Sequence, residues 1–309
     1  MCYIQSAKEA FAKPTKETNA TYMYYTNKMI SFRSNAIPVI LNGLESDNAA
    51  IKMESARLLC GMDPDPRALK PLIKMGNNKG LLDVSRKQAI WALSKYKQKE
   101  AFNALVDILS KKDEGSLIIG CAIWSLAERE ENVIPTILAD SLDKHAEKDV
   151  YKTYLQAFMK RPNTVSTETL CKALIYYCRT ASSVHYPEDE LFVSTLKKVR
   201  TASNPTASDI FVSFIKKNSA SSEISSVCIP ILKILNDPQT IDVLIGLLDD
   251  ENHSKWVYPA LRDLTNRRRF PNNKEAWFRW WEKIDKSSFK KLNSKLKITF
   301  SRHSITING

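Results

Sequence analysis

The chain has 309 residues, 43% of them hydrophobic, and only 8 glycines. That apolar content suffices for a substantial core and excludes a disordered chain, and so few glycines argue against a turn-rich all-β or dinucleotide-binding fold. The net charge of +12 sits at the ends: residues 1–35 carry five basic and two acidic residues, residues 36–250 carry 27 of each, and residues 251–309 carry 14 and five, which disfavours a nucleic-acid cradle along the whole body.

Residues 1–35 read as a basic N-terminal capping segment. From residue 36 a repeat begins. "AIPVILNGL", "ALKPLIKM", "AFNALVDIL" and "VIPTILADS" align on Pro38, Pro71, Ala104 and Pro135, which are 33, 33 and 31 residues apart. Each is followed by a second helical segment, and these align on Ala56, Ala89, Ala122 and Ala157, spaced 33, 33 and 35. Two landmarks with one period predict an α-solenoid of helical hairpins. The small alanine lets neighbouring second helices approach closely. In "QAIWALSK", Ala89, Ile90 and Leu93 form an apolar face. Trp91 and Trp124 share one register position, and their place on apolar helices predicts core packing rather than a base-stacking platform. "DPDPRALKP" ends a loop with a helix-start signal.

After residue 160 the period loosens. Helices are expected over 165–181, 187–200, 206–218, 222–235, 237–250 and 253–265, with Pro259 bending the last. "TASSVHY" and "TASNPTAS" read as connections. The count is about seven hairpins in an all-α chain. The array is expected over 36–265, and a C-terminal cap and basic tail over 266–309.

This pattern resembles HEAT repeats, especially the short HEAT-like repeats of phycobilisome lyases that are common in bacterial proteins. The C-terminal stretch is similar to the closing unit of such proteins. Leu264-Thr265-Asn266 stands where Leu-Thr-Gly is usual, followed by Phe270 and the helix "EAWFRWW". Asparagine tolerates the left-handed C-cap conformation, so the geometry should survive. Trp277, Trp280 and Trp281 lie at i, i+3, i+4 and present one aromatic face, which suits a plug over the open end of the array. Asn272 or Asn273 would cap that helix, and Glu275 suits its first turn. Arg267, Arg268 and Arg269 precede it in a loop and are candidates for gripping phosphate or a carboxylate-rich peptide.

Motifs for chemistry are sparse. The histidines, His145, His185, His253 and His303, form no ligand pair such as HExxH, and P-loop, GxGxxG and GxSxG motifs do not occur. No metal or cofactor is expected. The cysteines, Cys2, Cys60, Cys121, Cys171, Cys178 and Cys228, include no CxxC and read as reduced core residues. "EREE" at 128–131 and "DDE" at 249–251 read as solvated loop charge.

The resemblance implies a non-enzymatic scaffold that binds a protein or peptide along the concave face lined by its stacked second helices. Lys52, Arg57, Arg86 and Lys87 are the candidate contact residues. A nucleic-acid grip through Arg267–Arg269 and the basic tail is the alternative. A HEAT-type enzyme, either a bilin lyase or a DNA glycosylase, is the weaker one, and an inward-facing acid beside an exposed tryptophan would favour it. No transmembrane run is present. A cytoplasmic location is expected, or an exported or lipid-anchored one if a targeting segment precedes Cys2.

Overall fold

A computed structural model describes residues 20–21, 23–24, 27–28, 31, 33–145, 150–180, 183–186, 189–201, 207–218, 222–235, 238–284, 297–301 and 305–308. Most of the expected N-terminal cap, Cys2, His303 and most of the basic tail therefore lie outside the described residues. The chain forms two compact units, Met1–His145 and Ala146–Gly309. The division falls inside the segment expected as one array.

In the first unit, α1 (Ile37–Leu44), α3 (Pro66–Asn77), α5 (Lys99–Ser110) and α7 (Ile134–Ser141) pack in succession as one layer. The second helices α2 (Ala49–Gly61), α4 (Asp83–Leu93) and α6 (Ser116–Ala127) pack in succession as the other. Each first helix of the pairs α1–α2, α3–α4 and α5–α6 also packs on its own partner. Local chemistry sets the starts. Pro38 and Pro135 lie in the first turns of α1 and α7, where a missing N–H costs nothing. The Asn48 carboxamide accepts from the Ala50 and Ile51 N–H groups, and Asp65 accepts from Arg67 N–H at 2.9 Å.

The landmark alanines Ala56, Ala89 and Ala122 are all fully buried, as the 33-residue spacing requires of a helix-contact position. Gly43 and Gly76, also 33 apart, lie late in α1 and α3. A Cβ on Gly43 would stand 2.0 Å from Ser55 Oγ, so α1 and α2 approach closely there. Successive second helices are tied by basic side chains that reach back one repeat to an orphan helix-end carbonyl. Lys95 Nζ donates to Met62 O at 3.2 Å, and Arg129 donates to Tyr96 O. Ser125 Oγ donates to Ile90 O at 3.1 Å.

The second unit holds α8 (Tyr151–Lys160), α9 (Thr167–Thr180), α10 (Glu190–Arg200), α11 (Ala207–Lys217), α12 (Ser222–Leu235), α13 (Pro238–Gly246), α14 (Glu251–Thr265) and α15 (Lys274–Glu282). Helix α9 is central and packs on α8, α10, α11 and α12, while α12 packs on α14 and α13 on α15. Pro230 and Pro259 lie inside α12 and α14, and each helix continues past its proline. Asn266 closes α14 in the left-handed conformation, φ 54°, and Arg267 N–H reaches Arg262 O at 2.9 Å. That is the expected asparagine C-cap.

The helical class and hairpin layering are as the sequence implies. A small sheet is not. Strands β1 (Ser183–Tyr186), β2 (Lys297–Ser301) and β3 (Ile305–Asn308) pair antiparallel in the order β1-β2-β3, with Ser183 opposite Ser301 and Phe300 opposite Ile305. The sequence reading placed β1 in a connection and β2 in a basic tail. Strands this short show no period-2 signal of their own, and β1 finds its partner only at the far end of the chain.

Candidate functional site

The expectation that Trp91 and Trp124 pack in the core is corrected by the structure. They are 39% and 37% exposed. Consecutive helical residues are turned by about 100°, so a residue two places from the buried alanine points about 200° away from it. Ala89 and Ala122 face the core, and Trp91 and Trp124 therefore face out. Val84 (46%) and Leu117 (44%) lie one repeat apart on the same helix faces, five residues before the alanines. Leu82, the residue before α4, is 70% exposed. Large apolar side chains thus recur by register on the outer face of α4 and α6, where water contact is unfavourable. A clustered patch of this kind marks an interaction surface more often than scattered singles do. Leu58 holds the same register in α2 but is 1% exposed, so the face begins at α4.

The charged candidates divide. Lys87 belongs to this face, with its Nζ 4.7 Å from the Trp91 ring centroid. Such a stack is worth about 0.5–1 kcal/mol at an exposed site. Lys52 is half-buried on α2, as is Arg57, whose Nε donates to the buried Glu54 at 2.6 Å. Arg86 is not a surface residue. It is 3% exposed, donates to Gly76 O at 3.1 Å and Glu114 Oε1 at 2.8 Å, and also meets Asp83 at 3.2 Å. Helical spacing separates the two once the turn is applied: Arg86 lies about 60° from the buried Ala89, and Lys87 about 200° from it, alongside Trp91.

The matching family model carries the description HEAT repeats and covers residues 37–127, the segment that contains α1 to α6. Residues 37–127 carry HEAT repeats. Curated proteins give no match. The exposed face of Val84, Trp91, Leu117 and Trp124 lies within the HEAT repeats, on their second helices.

The aromatic C-terminal helix has a different character. Trp277 is fully buried and Trp281 is 3% exposed, while Phe270 and Trp280 are half-buried. Asn273 caps α15 by accepting from Ala276 N–H at 2.8 Å. Trp277 Nε1 donates to Pro271 O at 3.0 Å, and Trp281 Nε1 donates to Asp242 on α13 at 2.7 Å. The rings of Phe270 and Trp277 lie 4.3 Å apart. Arg267, Arg268 and Arg269 are all exposed, but Arg267 stacks 4.5 Å from the Trp280 centroid.

Sequence reading gave no sign of a Ser–His–Asp set in the second unit. Ser225 Oγ lies 2.7 Å from His253 Nδ1, and His253 Nε2 lies 3.3 Å from Asp250 Oδ2. A hydrolytic triad has serine on Nε2 and the carboxylate on Nδ1, the reverse of this arrangement. Ser225 and His253 are 0% and 2% exposed, so the set acts as a polar clamp between α12 and α14. His145 is also buried, with Nε2 2.8 Å from Leu109 O.

The other sequence candidates behave as structural groups. In "EREE", burial disfavours the charged Glu131 carboxylate, but hydrogen bonds from Arg129 and the backbone outweigh it and hold the group below its usual range. In "DDE", Asp249 pairs with Lys274, and Asp250 caps α14 by accepting from Asn252 N–H at 2.9 Å. Cys60, Cys121, Cys171, Cys178 and Cys228 are free thiols. Among the described residues no group of His, Cys, Asp and Glu is arranged to hold a metal, and no helix is long and apolar enough to cross a membrane.

Proposed function

We propose that this chain is a non-enzymatic scaffold that binds a protein or peptide through the outer face of its second helices. One observation carries the reading: Val84, Trp91, Leu117 and Trp124 are exposed large apolar residues repeated at the HEAT period. Four side chains of this size scattered at random would share neither helix face nor register. A stacked array supplies extended area for such a contact. In this reading α15 is an end cap, with Trp277 and Trp281 covering apolar surface that a further repeat would otherwise bury.

The test is a pull-down on tagged chain from its native lysate at low and high salt, each with and without nuclease. Discrete proteins retained in high salt and nuclease, and lost in a Trp91→Ala/Trp124→Ala chain, are the expected result. Recovery that collapses with nuclease or salt moves the function to phosphate binding, because counterion release makes such binding strongly salt-dependent. Arg268 and Arg269, exposed beside α15, are the residues that would then carry it.

One observation favours the weaker enzymatic reading. Glu128 is exposed at the C-cap of α6, four residues after Trp124. It lies one helical turn from the exposed Trp124, which supplies the acid and the aromatic of the glycosylase-like reading but not its inward-facing placement. Base release from alkylated duplex DNA that is lost in Glu128→Gln would establish it. Equal rates with and without the chain would remove it.

A further inference from the structure

We draw no further inference here: the strongest candidate, the exposed apolar patch of Val84, Trp91, Leu117 and Trp124 on α4 and α6, belongs to the surface already described, and nothing in the structure shows what covers it.

Discussion

Arg86 on α4 donates to Glu114, in the turn before α6, at 2.8 Å, and both side chains are shut away from water at 3% and 2% exposure. The pair spans 28 residues of sequence and ties one hairpin to the next. Removing one member of such a pair leaves a buried charge without its counter-ion, which costs about 3–5 kcal/mol, while replacing both with apolar residues is often neutral. Arg86→Met is therefore expected to lower the urea midpoint sharply, and Arg86→Met/Glu114→Leu to recover most of the loss. A double variant no better than the single would show that the guanidinium matters chiefly through its bond to Gly76 O.

Gly43→Ala pits local against tertiary effects. Alanine favours a helix interior over glycine by about 0.5–1 kcal/mol. The new Cβ would stand 2.0 Å from Ser55 Oγ and 3.2 Å from Ser55 Cβ. Overpacking of this sort typically costs about 1–3 kcal/mol, so the steric effect should win. A lower melting temperature for Gly43→Ala, restored by adding Ser55→Gly, is the expected outcome. A raised melting temperature in the single variant would mean that Ser55 turns aside freely.

The repeat was legible because two landmarks kept one period, and Ala56, Ala89 and Ala122 are buried as that period demands. The Asn266 cap and the burial of Trp277 followed from equally local rules, a left-handed C-cap and an i, i+4 aromatic face. The outward tryptophan face has a signal in the sequence: Trp91 and Trp124 each follow a buried alanine by two residues, a turn of about 200° that carries them away from the core. Other features could not be read locally. The counter-ion that Arg86 meets on the core side, Glu114, comes from the next hairpin. The Ser225–His253 clamp joins residues on different helices, and the β1–β2 pairing joins segments from opposite ends of the unit.

The five cysteines among the described residues should be unreactive in the folded chain. Burial pushes the Cys60 and Cys121 thiols up to about 11, and raises Cys171, Cys178 and Cys228 further. Cys60 also uses its proton to bond Gln88 O at 3.4 Å. A thiol near 11 is only about one part in a thousand thiolate at pH 8. Iodoacetamide mapping at pH 8 should find these five unlabelled in the native state and labelled after denaturation. Between about pH 8.5, the ordinary thiol value, and pH 11 the unfolded chain binds fewer protons than the folded one. Stability should therefore fall as pH rises through that window, and five Cys→Ala changes should flatten the fall.

The buried tryptophans of α15 should matter far more than their exposed neighbour. Truncating a buried Trp to Ala typically costs about 3–5 kcal/mol. Trp277→Ala and Trp281→Ala are both expected in that range by chemical denaturation, with Trp281 also abandoning Asp242. Phe278 is 51% exposed, and Phe278→Ala should stay within about 0.5 kcal/mol of the parent. Equal effects at the three positions would argue against α15 as a cover for the end of the array.

The three arginines before α15 look alike in sequence but are not alike in the fold. Arg267 lies 4.5 Å from the Trp280 centroid and 5.5 Å from that of Phe270, so its planar cation is engaged by two rings. Arg268 and Arg269 are exposed in the same loop. Arg267→Ala should cost about 0.5–2 kcal/mol of stability through lost stacking, whereas the double Arg268→Ala/Arg269→Ala should be near neutral. If the loop grips an anion, the double variant is the one that reduces the salt slope of binding while leaving the melting curve unchanged. A salt slope insensitive to Arg268 and Arg269 would locate any anion binding elsewhere on the chain.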